Sequence, residues 1–119
     1  MASGGLSAMT KTIRGRPDEV KRIIRALQLG KQAMFKSRDR TLDLITGVLK
    51  MDKETAADTY KVVEASFNDT GIPTREAMGN IIKAIKAEGR FTDRNIAFED
   101  VAEPRFAIEV ARELGYKVP

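Results

Sequence analysis

Apolar residues in this chain return every three or four positions and nowhere form a Val/Ile/Thr-rich run of period two. That spacing restricts the chain to packing helices, because a strand needs its apolar residues on alternate positions. The first helix is expected from Pro17 to about Lys36. Pro17 suits the first turn, where a missing N–H costs nothing, and Asp18 and Glu19 favour the positive end of the helix dipole. Its stripe reads Val20, Ile23, Ile24, Leu27, Lys31, Met34, with the Lys31 stem lying along the apolar surface and Leu29, Ala33 and Phe35 off the main face. Ser37 is placed to cap a second helix, which carries Leu42, Ile45, Val48 and Leu49 and ends near Lys50. Asp52 caps a third, with Ala56, Tyr60, Val63 and Phe67 on one side. The turn Asn68-Asp69-Thr70-Gly71-Ile72-Pro73 follows, and Thr74 caps a fourth helix bearing Met78, Ile81, Ile82 and Ile85, stopped by Gly89. Arg90 to Glu103 reads as irregular chain pinned by Phe91, Ile96, Phe98 and Val101. A last helix from about Pro104 to Leu114 buries Phe106, Val110 and Leu114, and Gly115 closes it. The expected fold is all-α, with about five helices at residues 17–119 behind a flexible or strand-end leader at 1–16.

The remaining totals exclude more than they assign. The chain has 119 residues, no Cys and no His, so disulfides, the usual zinc sites and His-assisted nucleophiles cannot be built. No apolar run reaches the roughly 20 residues that span a bilayer, so the chain reads as soluble. Met1-Ala2-Ser3-Gly4-Gly5 lacks the apolar stretch of a signal peptide. Charge is uneven: residues 1–40 hold ten Lys/Arg against three Asp/Glu, and the rest hold eleven against fourteen. Lys11, Arg14, Arg16, Lys21, Arg22 and Arg25 form a candidate nucleic-acid patch. Against it, the following helices are mixed-charge or acidic rather than polar and base-reading, and aromatic platforms are scarce. A solvated face offset by acidic neighbours accounts for the same residues.

Catalytic constellations are missing. Glu99, Asp100 and Glu103 cluster in a loop, and Glu54 and Asp58 stand one helical turn apart, but neither group has a predicted apolar pocket to raise a pKa. Neither a calcium loop nor a glycine-rich phosphate cradle is present. No catalytic residue, metal or cofactor is expected. Every helix carries an apolar stripe, and the stripes either close on one another or cover a sheet that lies outside these residues.

Four stretches in order carry a family resemblance. "GLSAMTKTIRGRPDEVKRIIRALQLGKQAM" has small residues, a Thr/Lys turn and an x-Pro-Asp-x-Val-Lys-Arg helix start. "SRDRTLDLITGVLKMDKETAADTY" is similar to a following helix pair, with Ser37-Arg38-Asp39 where Asn-Pro-Glu is usual. "FNDTGIPTREAMGNIIKAIKAEGRF" sets Gly71 before a helix-starting turn, and "FEDVAEPRFAIEVARELGY" opens the last helix with a Val-x-Glu-Pro-x-Phe turn. Together they resemble the C-terminal third of nitrate/sulfonate/taurine-type solute-binding proteins of ABC importers, a group that includes binders of thiamine pyrimidine precursors. The chain departs from that pattern in lacking the two αβ lobes, and in Arg16 standing where the family has an Asn cap.

The resemblance implies the helical C-terminal part of a type II periplasmic binding protein, a fragment of a two-lobed parent exported to the periplasm or another extracytoplasmic space. The parent would hold a small anionic or zwitterionic solute between its lobes and deliver it to an ABC permease without catalysis. Ser7 and Thr10 are the only positions here expected to reach the cleft, because ligands sit at strand ends in open α/β sheets. Simple turn capping is the alternative account of both residues, and the plainer one. The isolated segment is expected to self-associate through its uncovered stripes and to bind no nucleic acid. The rival reading is a free-standing helical interaction or regulatory module that grips nucleic acid or an acidic partner through its basic first helix.

Overall fold

The computed structural model describes residues 4–118; the first three residues of the expected leader and the last of the expected helical domain lie outside them. The chain is all-α, with no strand among the described residues. Seven helices are present there: α1 Thr10–Gly15, α2 Pro17–Lys36, α3 Arg38–Val48, α4 Lys53–Ser66, α5 Arg75–Ala87, α6 Phe98–Val101 and α7 Arg105–Glu113. Five of them are the expected ones. The other two are short. α1 makes a helix of residues expected to be flexible or strand-end leader, and no strand end precedes it among the described residues. α6 is a single turn inside the segment expected to be irregular, held by the Asp100 Oδ2 accepting from the Ala97 N–H at 2.9 Å.

The chemistry at the helix ends explains most boundaries. Asp52 accepts from the Thr55 N–H at 2.8 Å, and Thr74 Oγ1 accepts from the Ala77 N–H at 3.1 Å, each satisfying a donor the first turn leaves orphaned. Ser37 occupies the N-cap of α3, yet its side chain accepts nothing. Thr41 does not replace that cap; its hydroxyl donates to the carbonyls of Met34 at 2.8 Å and Ser37 at 2.9 Å, which ties the end of α2 to the start of α3. α5 and α7 both end in the paired reverse hydrogen bonds of a Schellman turn. Arg90 N–H reaches Ile85 C=O and Gly89 N–H reaches Lys86 C=O; Tyr116 and Gly115 repeat the pattern on Ala111 and Arg112. The two glycines adopt φ of +84° and +87°.

Packing is centred on α2 and α7. Val110 and Ala111 are fully buried, and Ile72, Ala107 and Ala111 form a cluster joined by Ile24, Ile108, Tyr116 and Val118. At the far end of α2, Phe35 meets Tyr60 and Phe67 edge-on, at centroid distances of 5.9 and 5.8 Å. Phe35, expected off the main face, is therefore part of the packing. Phe91 and Val101 were expected to pin the 90–103 segment, and both are exposed.

The molecule is open. Its radius of gyration is 16.7 Å, against about 13.5 Å for a compact domain of this length. Its accessible surface is 9032 Å², where a folded monomer of this mass exposes about 6,400 Å². Roughly 2,600 Å² of surface that a closed fold would hide stays outside.

Candidate functional site

The site begins with the orientation of α2. A 20-residue helix with 3.6 residues per turn has one face for the rest of the chain and one for solvent. The sequence pattern assigns Val20, Ile23, Ile24, Leu27, Lys31 and Met34 to the inner face. In the structure the inner line is Val20, Ile24, Gln28, Lys31 and Phe35, so the helix is turned by a fraction of a turn. Ile23 and Leu27 are left 44% and 56% exposed.

Polar groups on the partners cause that rotation. From α7, Glu113 takes Lys21 Nζ at 2.6 Å and Arg25 at 2.5 Å, and Glu109 takes Lys21 at 3.2 Å. Further along, Lys31 Nζ donates to the carbonyls of Asn68 and Asp69 at 2.8 and 2.6 Å. Gln28, only 5% exposed, donates from its amide to the Thr70 carbonyl. Gln32 Nε2 donates to the Tyr116 hydroxyl at 2.9 Å. Five polar side chains of α2 thus face inward and carry its contacts to α7, the 68–71 turn and Tyr116. That turn is itself braced, with Asn68 Oδ1 accepting from Gly71 N–H at 2.7 Å and Asn68 Nδ2 donating to Ile72 C=O at 2.9 Å.

The opposite side is apolar. Between residues 23 and 33 the outward positions are Ile23, Ala26, Leu27, Leu29, Gly30 and Ala33, all exposed. They occupy an arc of roughly 160° on a helix of this pitch and include no charge. An ideal Cβ at Gly30 meets nothing within 4 Å outside its own helix. At its N-terminal end this face runs into a shallow recess of about 240 Å³, lined by Leu6, Ser7, Ala8, Thr12, Glu19, Val20 and Ile23.

Ser7 therefore lines a recess, beside Glu19. Thr10 does not; it is the exposed first residue of α1 and is not brought to Ser7's side of the recess. Of the basic patch, Lys21 and Arg25 are engaged with α7 carboxylates, and Arg16 with Glu19 at 3.1 Å. The Lys21 ammonium is held above its ordinary pKa, first by Glu113 and then by Glu109, and Glu113 is held below the usual carboxylate range, first by Lys21 and then by Arg25. Three of the six basic residues are thus offset by carboxylates, while Lys11, Arg14 and Arg22 are exposed.

The loop acids divide similarly. Glu99 accepts from Arg75 at 2.5 Å, a contact that lowers its pKa, while the Arg75 guanidinium lies 4.6 Å from the Phe98 ring centre. Among the described residues no group of three or more Asp, Glu, His or Cys is gathered to hold a metal ion. None of their helices is long and apolar enough to cross a membrane. Sequence reasoning missed the roles of Gln28 and Gln32, which lie beside the expected stripe rather than in it. Comparison with known protein families, characterised proteins and solved structures finds no match.

Proposed function

We propose that this chain is the C-terminal helical part of the solute-binding protein of an ABC importer, serving small anionic or zwitterionic solutes of the nitrate, sulfonate, taurine or pyrimidine-precursor class. One observation carries the reading. α2 has its polar side chains engaged within the chain and its apolar arc outside it, as a helix does when it is covered on both sides. The excess surface of about 2,600 Å² has the same meaning, since helices of a two-lobed binding protein also cover neighbouring sheet. Four element starts fall within the stretches that resemble the family, the Pro17-Asp18 start of α2, the Asp52 cap of α4, the Thr74 cap of α5 and the Glu103-Pro104 turn before α7, whereas the strand end and Thr/Lys turn implied before Pro17 are replaced by α1.

In this reading the parent works outside the cytoplasmic membrane, closes two lobes over its solute and hands it to a permease, with no bond broken. The segment contributes rigidity to one lobe, and Ser7, in the recess, is its nearest approach to the cleft. Thr10 has weaker support, because it stays outside the recess. The test has two parts. The reading frame upstream of these codons is expected to encode two αβ lobes and a signal peptide, beside genes for a permease and an ATPase. Calorimetric titration of the isolated chain with taurine, alkanesulfonates and nitrate is expected to give no heat of binding. Micromolar binding by the isolated chain, or a frame without lobes, refutes the proposal.

A further inference from the structure

Three successive carbonyls, those of Asn68, Asp69 and Thr70, all accept from side chains of α2. Lys31 Nζ takes the first two at 2.8 and 2.6 Å, and the Gln28 amide takes the third. The Tyr116 ring centre lies 5.8 Å from the same Nζ, and its hydroxyl is fixed by Gln32 at 2.9 Å. Lys31 forms no ion pair among the described residues. Its charge is met instead by carbonyl oxygens and an aromatic ring, groups that recognise ammonium ligands. α4 runs into this turn with no basic residue in its own last turn, so the cation that favours a helix C-terminus comes from α2. We propose that the 68–70 turn and Tyr116 form a primary-ammonium site, which the chain fills with its own Lys31 and which takes a free alkylammonium once that side chain is cut back.

The site is built independently of its occupant. Asn68 holds the turn from within, its Oδ1 accepting from the Gly71 N–H at 2.7 Å and its Nδ2 donating to the Ile72 carbonyl at 2.9 Å. Thr70 Oγ1 accepts from the Ile72 N–H at 3.2 Å. Ile72 is itself buried in the core cluster against which Tyr116 packs. None of these contacts passes through Lys31, so the carbonyls keep their aim without it. An ammonium has three N–H donors. Two are spent on carbonyls at hydrogen-bond length, a directional demand that an alkali cation does not make. Lys31→Ala removes three methylenes and the ammonium, and n-propylammonium returns the same atoms. The inference goes beyond the transport reading and does not depend on it, because every group involved lies within this chain.

Chemical rescue of the whole chain tests it, read by amide NMR and by thermal melting at an ionic strength held constant with sodium chloride. Lys31→Ala is expected to lower the melting temperature by about 5 °C. n-Propylammonium is expected to bind this variant with a dissociation constant on the order of 10 mM, as so small a ligand allows. The amide resonances of Asp69, Thr70 and Gly71 should then move saturably, and about ten times that concentration should restore about 5 °C. The wild-type chain, whose site is full, and Lys31→Met, whose apolar stem blocks the path, are expected to show neither effect. An unfolded Lys31→Ala is read the same way, by whether n-propylammonium folds it. Resonances that stay still in Lys31→Ala, or move as much in the wild type, overturn the proposal. Equal rescue by propan-1-ol or by potassium chloride overturns it too, because neither supplies an N–H donor.

Discussion

Replacing Gly71 by alanine tests the lock between α2 and the 68–71 turn. Gly71 has φ +71°, where a side chain costs about 1–2 kcal/mol. A Cβ there would also run into the Gln28 amide, whose Cδ lies 2.7 Å from the ideal position. The amide is the far end of a flexible side chain and can move, but only by giving up its hydrogen bond to the Thr70 carbonyl, worth about 0.5–1.5 kcal/mol. The total is about 2–3 kcal/mol, or a fall in melting temperature of roughly 10 °C for a chain of this size. The informative measurement is a double-mutant cycle with Gln28→Ala, read by urea denaturation followed at 222 nm. Once the amide is gone, Gly71→Ala should cost only its backbone share. The two substitutions should therefore fall short of additivity by about 1 kcal/mol. Costs that add to within about 0.3–0.5 kcal/mol would show that Gln28 and Gly71 do not meet, and the account of the lock would fail.

Other consequences follow from the same contacts. Val110→Ala, at a fully buried position on α7, should destabilise by about 2 kcal/mol in the same assay, whereas Val48→Ala on the exposed side of α3 should change stability by less than about 0.5 kcal/mol. Thr74→Ala should cost about 1 kcal/mol through loss of the α5 cap, and Thr74→Ser should recover most of it. The depressed pKa of Glu113 gives an acid limb. A carboxyl whose folded pKa lies below its unfolded value of about 4.3 adds stability that is present above that value and lost as pH falls through the folded one. Melting temperature should therefore decline below about pH 4.3, and Glu113→Gln should flatten that decline. Duplex DNA should not be retained at physiological salt, since Lys21 and Arg25 are engaged with α7; binding that weakens steeply with salt would contradict this.

Local signals in the sequence located the fold's boundaries well. The Asp52 and Thr74 caps, Pro17 at the start of α2 and the glycines after α5 and α7 all act through groups within four residues of themselves, so a linear reading finds them. Ser37 sits at the expected N-cap of α3 without capping it, and the α2–α3 junction is tied instead by the Thr41 hydroxyl donating to two carbonyls. The facing of α2 was not legible. Its apolar period is satisfied by two neighbouring orientations, and the choice was made by Glu109 and Glu113, some 90 residues away, and by three carbonyls of the 68–70 turn. The candidate site shared that fate, because the outward arc exists only once the helix has been turned. α1 and α6 are too short for any periodic pattern to announce them.

Among the helices, α5 packs chiefly on α6, while the principal contacts of α2 run to α1, α3 and α7. The chain therefore holds two sets of backbone amides with different fates in deuterated water. Those of α5 should be released when the α5–α6 pair opens, an event that need not disturb the α2–α7 pairing. Those of α7 are released only when the α2–α7 pairing itself is lost. Hydrogen exchange should consequently divide the molecule near residue 74 and again near residue 104, with α5 and α6 labelled together and earlier. A protease given limiting time should cut at the exposed Gly89–Arg94 tip and yield two fragments that stay associated through the α2–α7 contacts.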